Sequence, residues 1–225
     1  MTYPHEPMKR VFPRAAGVIF AVLYGVALMM VPPLPGIDRP GGEVITHLTD
    51  HASAIRLQAL LVTLGSLALV VVLGYARTRL EGVADAVFII GSAAVVAETS
   101  IEMWFTSGLA LHPEALDAGT ARALADIGSM WGPILTVADV MVAVPVALAA
   151  RARRFPRWLG VLAAVFAIEQ LVETITIVGG PGSFISPGGP MNFFLGGPLF
   201  ILFFLALGLA VSFARTEDST STGQA

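Results

Sequence analysis

Val95-Val96-Ala97-Glu98-Thr99-Ser100-Ile101-Glu102-Met103 decides how this chain is read. The stretch lies inside a long apolar run, yet it carries two carboxylates four residues apart. On a helix these share one face, with Cβ atoms about 6 Å apart. A second apolar run repeats the device in Ile168-Glu169-Gln170-Leu171-Val172-Glu173-Thr174, and a third holds Asp139 alone. No Lys, Arg or His stands within these runs to pair with the five acids. Ionisable side chains are costly in hydrocarbon, and there they mark functional sites by default.

The composition around the acids fixes the class. Of 225 residues, 56% are hydrophobic and 13% charged, and mean hydropathy is +0.79. A soluble domain carries roughly 25% charged residues. Long apolar stretches with polar punctuation therefore read as an all-α, polytopic integral membrane protein. The lipid bilayer is its first partner. A net charge of −3 offers nothing to nucleic acid. The absence of Cys excludes disulfides, thiolate metal sites and palmitoylation. Lys9, Arg10 and Arg14 precede the first apolar run as in a signal peptide. No small-residue cleavage site follows, and Pro32-Pro33-Leu34-Pro35-Gly36 closes the run, so an uncleaved first span is expected.

Six spans are expected, at about 14–32, 56–76, 83–106, 130–150, 157–178 and 192–214. Together they make one transmembrane domain, 1–215, followed by a disordered polar tail, 216–225. Lys and Arg in the short loops set the orientation. With the N-terminus inside, Lys9, Arg10, Arg14, Arg77, Arg79, Arg151, Arg153, Arg154, Arg157 and Arg215 lie inside. Only Arg39, Arg56 and Arg122 lie outside. Both termini are thus expected in the cytoplasm and the protein in the cell (plasma or inner) membrane. Trp104, Trp131 and Trp158 each fall at a span end, where amphipathic rings prefer to sit. The first outer loop should turn helical around His47-Leu48-Thr49-Asp50-His51, and Pro113 should start a short surface helix in the second. The third, Gly179 to Pro190, is too rich in Gly and Pro for a helix. It should lie over the outer mouth or dip among the helices.

Arg153-Arg154-Phe155-Pro156-Arg157-Trp158-Leu159-Gly160 leads into a Leu/Val/Ala-rich span, a Gly/Pro loop and a Phe/Leu-rich last span. This second half resembles small multi-pass membrane proteins of unknown function from high-GC bacteria. The resemblance implies a fold of this kind and no particular activity. The chain has no Walker motif, dinucleotide fingerprint, metalloprotease signature or nucleophile elbow.

The acids are expected to meet. Glu98 and Glu169 fall near the middle of spans three and five, which run in the same direction. Glu102 and Glu173 lie one turn further out, and Asp139 is central in span four. Gly91, Ala94, Glu98 and Glu102 form one stripe; Gly132, Thr136, Asp139 and Ala143 form another. Small residues on a stripe let helices approach closely in lipid. Leu162, Val165 and Phe166 share the stripe of the span-five acids. Pro145, inside span four, cannot donate to the Met141 carbonyl, and a kink there would free an oxygen near Asp139. Five acids without basic partners call for bound protons or a cation. The leading expectation is therefore non-enzymatic binding or translocation of a proton, small cation or cationic small molecule at Glu98, Glu102, Asp139, Glu169 and Glu173. Six spans are few, so a homo-oligomer would suit transport. One rival is an accessory or scaffold protein whose acids are hydrogen-bonding glue, with Thr99, Ser100 and Thr174 as partners. Another is an intramembrane enzyme or redox partner with carboxylate metal ligands. The lack of intramembrane His or Cys counts against that one. No cofactor is implied. Outside the spans, His47, Asp50 and His51 have a spacing that could ligate Zn²⁺ or Cu²⁺, with His112 as a further donor, but a closed zinc site needs about four ligands.

Overall fold

The structure, a computed structural model, describes residues 6–212; Arg215 and the expected tail lie outside them. Every regular element among the described residues is helical. The long ones are α1 (Glu6–Met30), α2 (Gly41–Arg77), α3 (Gly82–Leu109), α4 (Ala118–Ser129), α5 (Trp131–Arg151), α6 (Arg157–Glu173) and α7 (Gly197–Val211). Short 3₁₀ turns occupy Pro113–Ala115 and Thr174–Val178, and a π-helical turn, Asn192–Gly196, opens α7. Six helical segments are long and apolar enough to cross a membrane, which makes the chain a six-helix, multi-pass membrane protein. They coincide with the expected spans, except that the first helix starts earlier and α2 is much longer.

Small residues set how closely the helices approach. A Cβ on Gly91 would stand 2.6 Å from Met141 Cβ and 3.0 Å from the Ala138 carbonyl, so α3 lies nearly against the backbone of α5. Gly17 of α1 and Gly208 of α7 face one another in the same way; a Cβ on Gly208 would meet Gly17 Cα at 2.9 Å. Without a hydrophobic drive between helices in lipid, this closeness gains dispersion contacts. The Phe-rich last span fills the centre. Phe203 and Phe204 are buried with Phe20 and Phe166, the Phe166 and Phe203 rings stacking at 4.7 Å, while Phe194 is exposed. Pro145 is buried within α5, which continues unbroken through it.

The two ends of the bundle differ. At the arginine-rich end, Arg77 Nε bonds Asp85 Oδ1 at 3.0 Å, which ties α2 to the first turn of α3. Arg79 donates to the carbonyls of Arg154 and Val211, and Arg154 pairs with Glu81. At the opposite end lies a second core. At 1.5 Å per residue the 37 residues of α2 run about 55 Å, against a hydrocarbon thickness of about 30 Å. The surplus is the expected helix around His47 and His51, now continuous with the span. Its Val44, Leu48 and Ile55 pack on Ala121 and Ala125 of α4 and on Val31 and Ala110. Asp117 caps α4, and the hydroxyl and amide of Thr120 bond its carboxyl and hold it below the usual range. Arg122 donates to the carbonyls of Pro35, Gly36 and Arg39 and pairs with Asp126 at 2.8 Å. The Gly/Pro loop is a chain of tight turns that reaches Asp38 at Gly182 and Ser129 at Gly188. Both glycines have positive φ, which only glycine adopts without strain. The loop's Pro181, Gly182, Phe184 and Ile185 are exposed, whereas Ser186 and Pro187 are buried.

Candidate carboxylate site

Helix α5 turns Thr136, Asp139 and Ala143 inward and α6 turns Phe166, Glu169, Gln170 and Glu173 inward, while Glu98 and Glu102 of α3 are half-buried beside its buried Val95 and Thr99. Asp139, Glu169, Gln170 and Glu173 are all buried, with Asp139 6% exposed and Glu173 5%. Leu162 and Phe166 turn inward with the α6 acids, whereas Val165 is exposed. Asp139 stands close enough to Glu173, Glu98 and Glu169 for their charges to act on it. These four acids are spread over α3, α5 and α6 within electrostatic range of Asp139. Glu102 is half-buried one turn further along α3, and Tyr24 of α1 lies within electrostatic range of both Glu102 and Asp139.

The donors to the acids are amides. Gln170 Nε2 reaches Glu169 Oε2 at 2.8 Å and Glu173 Oε2 at 3.2 Å, so its two hydrogens hold both carboxyls. Asn192, at the start of the π turn, donates to Glu173 Oε1. Gly196 makes that turn possible: a Cβ there would fall 2.1 Å from Glu173 Oε2. The hydroxyls expected as partners act differently. Thr99 and Ser100 donate to the carbonyls of Val95 and Val96 on their own helix. Thr174 donates to the Gln170 carbonyl and meets Thr136 of α5 at 2.8 Å. The Tyr24 hydroxyl lies 2.9 Å from Ser66 Oγ, whose own hydrogen goes to the Val62 carbonyl, so Tyr24 is the donor of that pair. Trp131 turns inward, its indole N–H donating to the Glu98 carbonyl at 3.0 Å, instead of lying in an interfacial belt. Trp104 and Trp158 remain exposed at their helix ends.

Several acceptors are left over. Glu98 Oε2, Asp139 Oδ1, Glu169 Oε1 and Asn192 Oδ1 are closed from solvent, and no donor among the described residues reaches them. Buried acceptors without donors are rare and costly, and a proton, cation or water satisfies them. Among the described residues no three His, Asp or Glu side chains gather closely enough to hold a metal ion. The His47 and His51 rings stack at 4.7 Å instead of converging on a point, and His51 Nδ1 is engaged with the His47 carbonyl. His112 lies 3.6 Å from Glu114.

Sequence reasoning put Thr136 on the Asp139 stripe but did not place Tyr24, Ser66 or Asn192 at the site, or give Gln170 its role. Gln170 carried a signal, since it is an amide between two acids in an apolar run. Compared with protein-family models, curated proteins and solved structures, the chain finds no match.

Proposed function

We propose that this protein binds or translocates a proton, small cation or cationic small molecule at Glu98, Asp139, Glu169 and Glu173, with Glu102 as an outer member. The observation that carries this reading is the set of buried carboxylate oxygens Glu98 Oε2, Asp139 Oδ1 and Glu169 Oε1, which lack any donor from the described residues. Three helices supply them. A proton suits the arrangement best. It needs one lone pair, whereas a chelated ion needs several oxygens around one point.

The arginine-rich end faces the cytoplasm in this reading, following the loop asymmetry. The membrane is the cell (plasma or inner) membrane, and a homo-oligomer would complete a transport path. A structural reading is favoured by one specific feature, the Gln170 amide shared by Glu169 and Glu173. In that reading the acids are permanently protonated glue.

Replacing Glu98 and Glu169 by Gln separates the two readings, because Gln keeps volume and hydrogen bonding but cannot ionise. The double variant should fold. Purified wild type should exchange more protons with solvent between mildly acidic and alkaline pH than the variant. In proteoliposomes, wild type should couple to a pH gradient and the variant should not. Equal proton exchange by the two proteins, with no cation dependence in either, would leave only the structural reading.

A further inference from the structure

Away from the acids, α2 and α3 leave a groove of about 420 Å³ between them. Val70, Leu73 and Gly74 line one wall, and Phe88, Ala93 and Ala97 the other. Gly74, Ala93 and Ala97 are small and exposed, so the slot opens sideways, toward lipid. It is not uniformly apolar. Arg77 closes it at the arginine-rich end, and Ser92 is among its lining residues.

We propose that this groove binds one acyl chain of an anionic phospholipid, with the lipid phosphate on Arg77. The guanidinium has donors to spare. Asp85 takes Nε at 3.0 Å and Nη2 at 3.4 Å, which leaves Nη1 for a phosphate oxygen. The side chain is 56% exposed, at the level where headgroups lie. The charge around it is complementary. Across residues 77–85 and 151–157 six arginines stand against Glu81 and Asp85, and such basic rims attract anionic headgroups. Ser92 lies on α3 seven residues beyond Asp85, about 10 Å deeper. Gly74, Ala93 and Ala97 then give the chain room without displacing a side chain. The assignment is independent of the carboxylate site, because the groove uses a different face of α3.

Native mass spectrometry of the full-length protein with equimolar phosphatidylglycerol and phosphatidylcholine tests it. Wild type should retain phosphatidylglycerol about fivefold over phosphatidylcholine, the scale of one basic residue at an anionic surface. Arg77→Gln should bring the ratio close to one. Asp85→Asn should keep or raise it, which separates loss of the phosphate contact from loss of the ion pair. Ala93→Phe should fill the slot and lower retention of both lipids. Should Ala93→Phe fail to fold, wild-type protein with diazirine-bearing phosphatidylglycerol decides the matter: crosslinks should map to residues 70–77 and 88–100. Equal retention of the two lipids by wild type, or wild-type retention by a folded Ala93→Phe, would overturn the assignment. So would crosslinks elsewhere, or a dimer lost on filling the slot, since a second copy would then be the occupant.

Discussion

Glu173 has the most constrained environment of the five acids. Asn192 and Gln170 donate to its two oxygens, and Gly196 presses bare backbone against one of them. Glu173→Gln puts an amide where both neighbours offer N–H groups, so one donor loses its acceptor. An unsatisfied buried group costs about 1–3 kcal/mol. Thermal unfolding in detergent should therefore show Glu173→Gln destabilised, and Gly196→Ala at least as much, since its methyl collides with the carboxyl. Glu98→Gln, whose Oε2 has no protein donor to lose, should be nearly neutral. A wild-type melting temperature for Glu173→Gln would mean that these amide contacts are not used. The acids were legible in the sequence because a charge in an apolar run stands out. Tyr24 and Asn192 were not, because uncharged polar residues are tolerated on interior and lipid-facing surfaces alike. Which of the two applies depends on the neighbouring helix.

At the scale of elements, the spans were legible because crossing hydrocarbon needs about 20 apolar residues, and few other structures need so many. A helix around His47 and His51 was legible too, but its unbroken continuation into α2 was not, because Glu43, His47, Asp50 and His51 interrupt the apolar pattern there. What its Val44, Leu48 and Ile55 pack on shows only once α4 supplies the opposing Ala121 and Ala125. Close crossing of α3 and α5 makes a sharper expectation. Gly91→Leu should force them apart and cost about 1–3 kcal/mol or more, with the acid cluster opening as a result. Gly25→Ala, where a new Cβ meets nothing within 4 Å, should be neutral or gain up to about 1 kcal/mol of helix stability. Melting curves of the two variants in one detergent make the comparison. Equal melting temperatures would show that the crossing is not held by close packing.

For the whole molecule, the proposed orientation can be read with a membrane-impermeant thiol reagent, because the chain has no Cys. A single Cys at Ser183 should label in intact cells, and one at Ala152 should label only after lysis. The reverse pattern would invert the molecule and place the arginine-rich rim outside. One feature of the shape governs behaviour beyond topology. The same uninterrupted α2 belongs to the bundle core through Val62 and Leu69 and to the second core through Val44 and Leu48. A close fit of Gly41 on the Ala118 carbonyl clamps its free end to α4. In the language of amide hydrogen exchange, the water-bathed turns of α2 are therefore not a fraying terminus. Opening them requires α4 to detach, so amides of Val44–Ile55 and of Ala121–Ala125 should exchange together as one slow cooperative unit. Fast, graded exchange from Gly41 inward would show two independently moving parts instead.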